Sequence, residues 1–204
     1  VPYVISSSGK TVPEDTGAYP KSALVTIDTE IESQNMIDYL CNCGHKRIAF
    51  ITSRDEGLGR CHLNGYKRAL EKNGLEYDEK IIIRLKPAKR IYTIENGYNC
   101  TCELLKSGVD FSCIYAISDT LAVGACRAII DSGKRVPEDY CVAGADGQDI
   151  AEYYHPSITT LKYPRVETAQ QSVRTLFDLI DRKKVVKRQI LGGTLIERES
   201  TRKL

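Results

Sequence analysis

The chain has 204 residues, a formal net charge of +2 and a hydrophobic fraction of 42%. That length holds one domain, or one domain and part of another, and the near balance of charge gives no bulk electrostatic reason to bind nucleic acid. No apolar run approaches the roughly 18 residues of a membrane helix, and no basic, apolar leader precedes the first strand.

Val1 to Ser6 reads as a short strand, followed by a polar loop with Gly and Pro to about Pro20. Ala23 to Ile27 is a second short strand. Ile31 to Cys43 then reads as a helix whose face is marked by Ile31, Met36, Ile37 and Leu40. Gly44 suits the left-handed position just past a helix end. Ile48 to Thr52 is apolar at nearly every position, as in a strand covered on both faces of a parallel sheet. Ser53 to Gly59 carry turn chemistry, and Tyr66, Leu70 and Leu75 fall near helical spacing beyond them.

Lys80 to Leu85 is the next strand, and Ile94 to Ser107 a helix with Tyr98, Cys102 and Leu105 on one side. Phe111 to Ile117 is another buried strand. Ser118 and Asp119 are natural N-caps for a helix over Thr120 to Ser132, closed by Gly133. A turn leads into the strand Tyr140 to Ala145, a loop runs from Asp146 to Pro156, and Ile158 to Tyr163 is extended. Arg165 to Arg182 is an amphipathic helix with Val173, Leu176, Phe177 and Ile180 near helical spacing. The basic cluster from Arg182 to Arg188 sits where the helix dipole favours positive charge. A last strand spans Arg188 to Glu197. Strands alternating with helices make an α/β protein with a mainly parallel sheet.

Eight cysteines raise the question of a disulfide or a metal. The closest pairs, Cys41 with Cys43 and Cys100 with Cys102, lie two residues apart on helices. That step points the thiols about 200° apart, which suits neither a bridge nor a shared tetrahedral ion. No metal or cofactor is expected, and reduced thiols fit a cytoplasmic protein.

In open α/β sheets ligands sit beyond the carboxyl ends of the strands. The first such loop, with the helix after it, holds Arg54, Asp55, Arg60 and His62. The second carries Tyr92, the third Ser118 and Asp119, the fourth Asp146. A carboxylate that accepts from two hydroxyls, a cationic donor and an aromatic face together suit a small polar ligand such as a sugar. Each residue also has a plain structural reading. Ser118 and Asp119 serve equally as caps, Arg60 as a surface residue and Tyr92 as core. Nothing supplies a nucleophile held beside a base, and no phosphate-binding glycine loop is present, so an enzyme is not expected.

The order GHKRIAFI, GYKRALEKNGL, SDTLAVGACRAIIDSGKRVPEDYCVAGAD, PSITTLKYP and ERES resembles the effector-binding domain of the LacI/GalR family of bacterial transcription regulators. The resemblance implies a periplasmic-binding-protein-like fold of two α/β subdomains around a cleft. It places residues 27–161 and 187–204 in a parallel-sheet C-terminal subdomain. Residues 1–26 and 162–186 would be the remnant of an N-terminal subdomain. The helix-turn-helix of such regulators, their only route to operator DNA, is absent from this sequence, and the chain reads as part of a longer protein.

For the cleft, the resemblance implies that Asp146 is the acidic effector contact, that Tyr92 lies against the effector, and that Tyr163 stands where glutamine is frequent. His62 replaces the family's usual arginine, and Ser118-Asp119 replaces Asn-Asp. It also implies a homodimer, with Val123, Tyr153 and Tyr154 in the contact region. The expected function is effector binding and dimerisation in a transcriptional regulator that senses a sugar or related metabolite. The alternative with the same architecture is a solute-binding protein of a transport system, which unpaired cysteines disfavour. Removal of most of one subdomain is expected to expose the apolar face of the helix from Arg165 to Arg182 and to promote self-association.

Overall fold

The computed structural model describes residues 1–8, 21–54, 56–86 and 89–204. Asp55 and the expected loop before Pro20 lie outside them. In chain order the elements begin β1 (Tyr3–Ser8), β2 (Ser22–Ile27), α1 (Thr29–Asn42), β3 (Ile48–Thr52), α2 (Gly57–Lys72) and β4 (Ile82–Arg84). They continue α3 (Ile94–Lys106), β5 (Cys113–Ala116), α4 (Asp119–Asp131), β6 (Cys141–Asp146) and α5 (Asp149–Tyr153). Last come β7 (Thr159–Lys162), α6 (Arg165–Ile180), β8 (Arg188–Leu191) and β9 (Thr194–Ile196).

The larger sheet runs β4-β3-β5-β6-β7-β9. Its strands are parallel except β9, which pairs antiparallel with β7. Every residue of β3 and β5 is buried, as the unbroken apolar run Ile48–Thr52 requires of a strand covered on both faces. Helices α1 and α2 pack on each other, as do α3 and α4, and the two pairs cover this sheet. Phe50 of β3 lies between the stacked rings of Tyr66 and Tyr115, at centroid distances of 4.9 and 5.2 Å. The Tyr66 hydroxyl donates to the Ile48 carbonyl at 2.8 Å, so this large buried ring carries no orphaned polar group.

The smaller sheet is β1-β2-β8, all parallel, with α6 against β1 and β2. Here the expected last strand is corrected. Arg188–Leu191 and Thr194–Ile196 belong to different sheets, with Gly192 and Gly193 between them. The chain therefore returns to the large lobe at that glycine pair rather than at Lys187. It crosses between lobes three times: after Ile27, after Lys162 and after Leu191. Glu32 of α1 accepts from the Gly193 N–H at 2.7 Å and so ties the first crossing to the third.

One apolar position faces outward against expectation, and one apolar stripe faces outward as expected. Ile31 on α1 is exposed, because at 100° per residue it lies about 180° around the helix from the buried Leu40. On α6 the buried residues are Thr168, Thr175 and Leu179, while Val166, Val173, Phe177 and Ile180 are exposed. That exposure is the one expected of this helix. The short helix α5 lies inside what reads from sequence as a loop.

Candidate functional site

Parallel pairing brings the carboxyl ends of β3, β5 and β6 to one edge of the large sheet, facing the small lobe. A cavity of about 690 Å³ lies between the lobes there. Within the range typical of small-ligand sites, it draws its wall from both lobes and from the crossings between them. The large lobe contributes His62, Tyr92, Ser118 and Asp146. The small lobe contributes Ser6 and Ser7 from β1, and Arg165 and Thr168 from α6. Thr29 and Tyr163 stand at two of the crossings, and Ile27, Leu58 and Ile117 supply apolar surface.

Asp146, Tyr92, His62, Ser118 and Tyr163, all candidates from the sequence, thus meet on one wall. Arg60 does not join them. It is exposed on α2, two residues from the buried His62, and a two-residue helical step turns it away from the cleft. Asp119 is also absent from the wall, being fully buried behind it.

Asp119 neither caps α4 nor lines the cavity. Ser118 is the cap, its Oγ accepting from the Leu121 N–H at 3.3 Å. The Asp119 carboxylate reaches instead into the loop after β6. Oδ1 accepts from the Thr160 hydroxyl at 2.5 Å and Oδ2 from the Gln148 N–H at 2.6 Å. A side chain at Gly144 would land on Asp119 Oδ1, so the glycine makes room for the carboxylate. This clamp holds a loop whose backbone is otherwise unfavourable: Asp146 has φ of 106°, a left-handed conformation rare outside glycine. Strain at such a residue persists only when its surroundings over-determine it.

Asp146 is turned by that backbone toward the small lobe. Its Oδ2 accepts from Gln148 Nε2 at 3.0 Å, and its Oδ1 lies 3.2 Å from Nη2 of Arg165. Burial pushes the Asp146 carboxyl upward, opposed by the Gln148 hydrogen bond and by the Arg165 charge. Burial likewise pushes the His62 imidazole down to about 4, so it is neutral near pH 7 and offers one donor and one acceptor. Asp146 and Arg165 are then the charged groups on the wall. Three buried polar atoms of that wall, Thr29 Oγ1, His62 Nδ1 and the Tyr163 hydroxyl, have no hydrogen-bond partner among the described residues. Buried polar groups are almost always paired, so these three are candidates for hydrogen bonds to a bound ligand.

The sequence does not single out Thr29, Arg165, Thr168 or the β1 serines. They lie on the small lobe or at crossings, and nothing in local spacing joins them to the loops of the large sheet. Thr29 alone had a usable signal, since it follows strand β2 as the other wall residues follow theirs. Of the expected dimer contacts, Val123 is corrected: it is 3% exposed and belongs to the core under α4. Tyr153 is 83% exposed, and Tyr154 is half-buried against the core.

Residues 37–201 match the family described as periplasmic binding protein-like domain. The chain is 40% identical over 146 residues to the HTH-type transcriptional regulator MalR of Clostridium butyricum, covering 72% of this chain and 42% of that protein. It is 33% identical over 181 residues to the regulator CelR of Thermobifida fusca, covering 88% and 50% respectively. The chain spans about half the length of the curated relatives it matches. Among solved structures, a sugar-binding LacI-family regulator from Escherichia coli complexed with phosphate superposes with a TM-score of 0.84 at 28% identity, covering 98% of this chain and 77% of that one. A CelR–cellobiose complex superposes with a TM-score of 0.83 at 32% identity, covering 98% and 59%. With its two parallel-sheet lobes, inter-lobe cleft and these relatives, the chain belongs to the periplasmic binding protein-like family as an effector-binding domain of the LacI/GalR regulators.

Proposed function

We propose that this chain senses a small sugar or sugar derivative in the cleft and, within a longer regulator, biases DNA binding by setting the angle between its lobes. The observation that carries the reading is the wall itself: Asp146, held in a strained conformation by a buried clamp, lines one cavity with Thr29, His62 and Tyr163, each of which has a buried polar atom without a partner among the described residues. Solved neighbours add support, since they include a CelR–cellobiose complex and a regulator from Enterococcus faecium with bound ribose. A ligand that touches both lobes favours the lobe orientation it fits better, and shifts the equilibrium only by its difference in affinity for the two. Operator contact belongs to a segment outside this sequence. Dimerisation would use the surface around the exposed Tyr153, where an aromatic side chain suits an interface.

Calorimetric titration of the chain with a panel of pentoses, hexoses and disaccharides tests the reading. Asp146→Asn should weaken binding of any sugar that binds by roughly tenfold or more, because the carboxylate's charge-assisted hydrogen bonds are lost. Unchanged affinity in that variant would remove Asp146 from the site.

A further inference from the structure

The Arg165–Asp146 pair is an ion pair that joins the two lobes, with its cation on α6 and its anion at the end of β6. The other ion pairs among the described residues stay within one lobe. Arg165 is the first residue of α6, and the cap before it is Pro164, whose side chain accepts no hydrogen bond. The Val166 and Glu167 N–H groups of the first turn have no acceptor among the described residues. Thr168 and Ala169 line the cavity with Arg165, so this uncapped helix end opens on the cleft. Glu167 also lies in the first turn but is not on the wall. A helix end alone does not make a site. Here the same cavity holds the orphaned Thr29, His62 and Tyr163 atoms, each at least nine-tenths buried.

We infer that the effector carries an anionic group, a carboxylate or a phosphate, which docks on Arg165 and the first turn of α6. This rests on the sugar-sensing reading and narrows its ligand class to sugar acids or sugar phosphates. A ligand hydroxyl that takes the Asp146 Oδ1 position facing Arg165 comes between the pair. A neutral sugar would then break the pair and put no charge in the carboxylate's place. An acidic sugar replaces the lost carboxylate on the guanidinium, whose planar fork suits carboxylate and phosphate alike. The free N–H groups and the positive end of the helix add to the same preference.

The experiment titrates the chain with matched series: glucose, gluconate and glucose 6-phosphate, and ribose, ribonate and ribose 5-phosphate, with inorganic phosphate as the bare anion. The expected result is at least one acidic member binding roughly tenfold or more tightly than its neutral parent. Arg165→Gln should abolish that difference, weakening the acidic member and tightening the neutral parent, which no longer has an ion pair to break, and Arg165→Lys should keep part of it. Preference for the carboxylate over the phosphate member, or the reverse, identifies which anion is recognised. Equal or tighter binding of the neutral parents overturns the inference and leaves sugar sensing intact. Binding of no member of either series overturns it as well, and counts against sugar sensing by this chain. Binding of phosphate alone that survives Arg165→Gln also refutes the assignment. Arg165 is largely exposed, so its variants should fold, and a urea titration run in parallel verifies this.

Discussion

The carboxylate of Asp119 sits where burial and hydrogen bonding oppose each other. Burial is the larger influence and raises its pKa from 3.8 to about 6, against the lowering pull of Thr160 and the Gln148 N–H. The folded chain therefore keeps a proton that the unfolded chain has lost between those values. Stability should fall as pH rises from about 4 to about 6, by roughly 3 kcal/mol for a shift of about two units, and should be flat above. Asp119→Asn mimics the protonated acid: its amide oxygen accepts from Gln148 and its NH2 donates to Thr160. The variant should lose this slope, which urea unfolding of both proteins at pH 5 and pH 7 would reveal as a change in their stability difference. Asp119→Ala leaves a buried N–H and a hydroxyl unpaired and should cost about 3 kcal/mol or more. From the sequence Asp119 is a cap or a contact; the cap is Ser118, and Asp119 is buried behind the cavity wall. Its partners lie 29 and 41 residues away, so no local spacing announces them. Asp146 is legible because it stands first after an apolar strand, and Arg165 is not, because it belongs to the other lobe.

Among the elements, β3 and α6 mark the two limits of what pattern can tell. The run Ile48–Thr52 has one interpretation, and the strand has those same bounds. Helix α6 also forms where its spacing predicts, yet its most apolar side faces solvent. Val166, Val173, Phe177 and Ile180 fall within about 60° of one another around the helix axis, at 100° per residue. Phe177→Lys should change stability by no more than about 0.5 kcal/mol, since an exposed side chain is replaced. It should also reduce self-association, measured by light scattering across a concentration series. Equal association of variant and parent would show that this stripe is not the surface involved. The β8–β9 boundary is legible only as the pair Gly192-Gly193, a turn signal in the middle of Arg188 to Glu197 that one long strand passes over. Only strand pairing reveals that Gly192 and Gly193 divide it between two sheets.

On the scale of the whole molecule, the three crossings are bound to one another as well as to the lobes. Glu32 holds the Gly193 N–H, and a side chain at Gly193 would approach the Lys162 carbonyl as well as Glu32. Glu32→Ala should cost about 1–3 kcal/mol by leaving that N–H unpaired. Amide exchange should quicken at Gly193 while the centre of β3 stays protected, and equal rates in variant and parent would show that the tie does not hold the crossing. Three connections gathered this way act like the leaves of a hinge: they oppose twist and sliding and leave one easy rotation. Such a joint reports occupancy as a single angle. Two ligands of different shape are then distinguished downstream only by how far along one arc each holds the lobes, so the output of the domain is a graded scalar rather than a set of separate shapes.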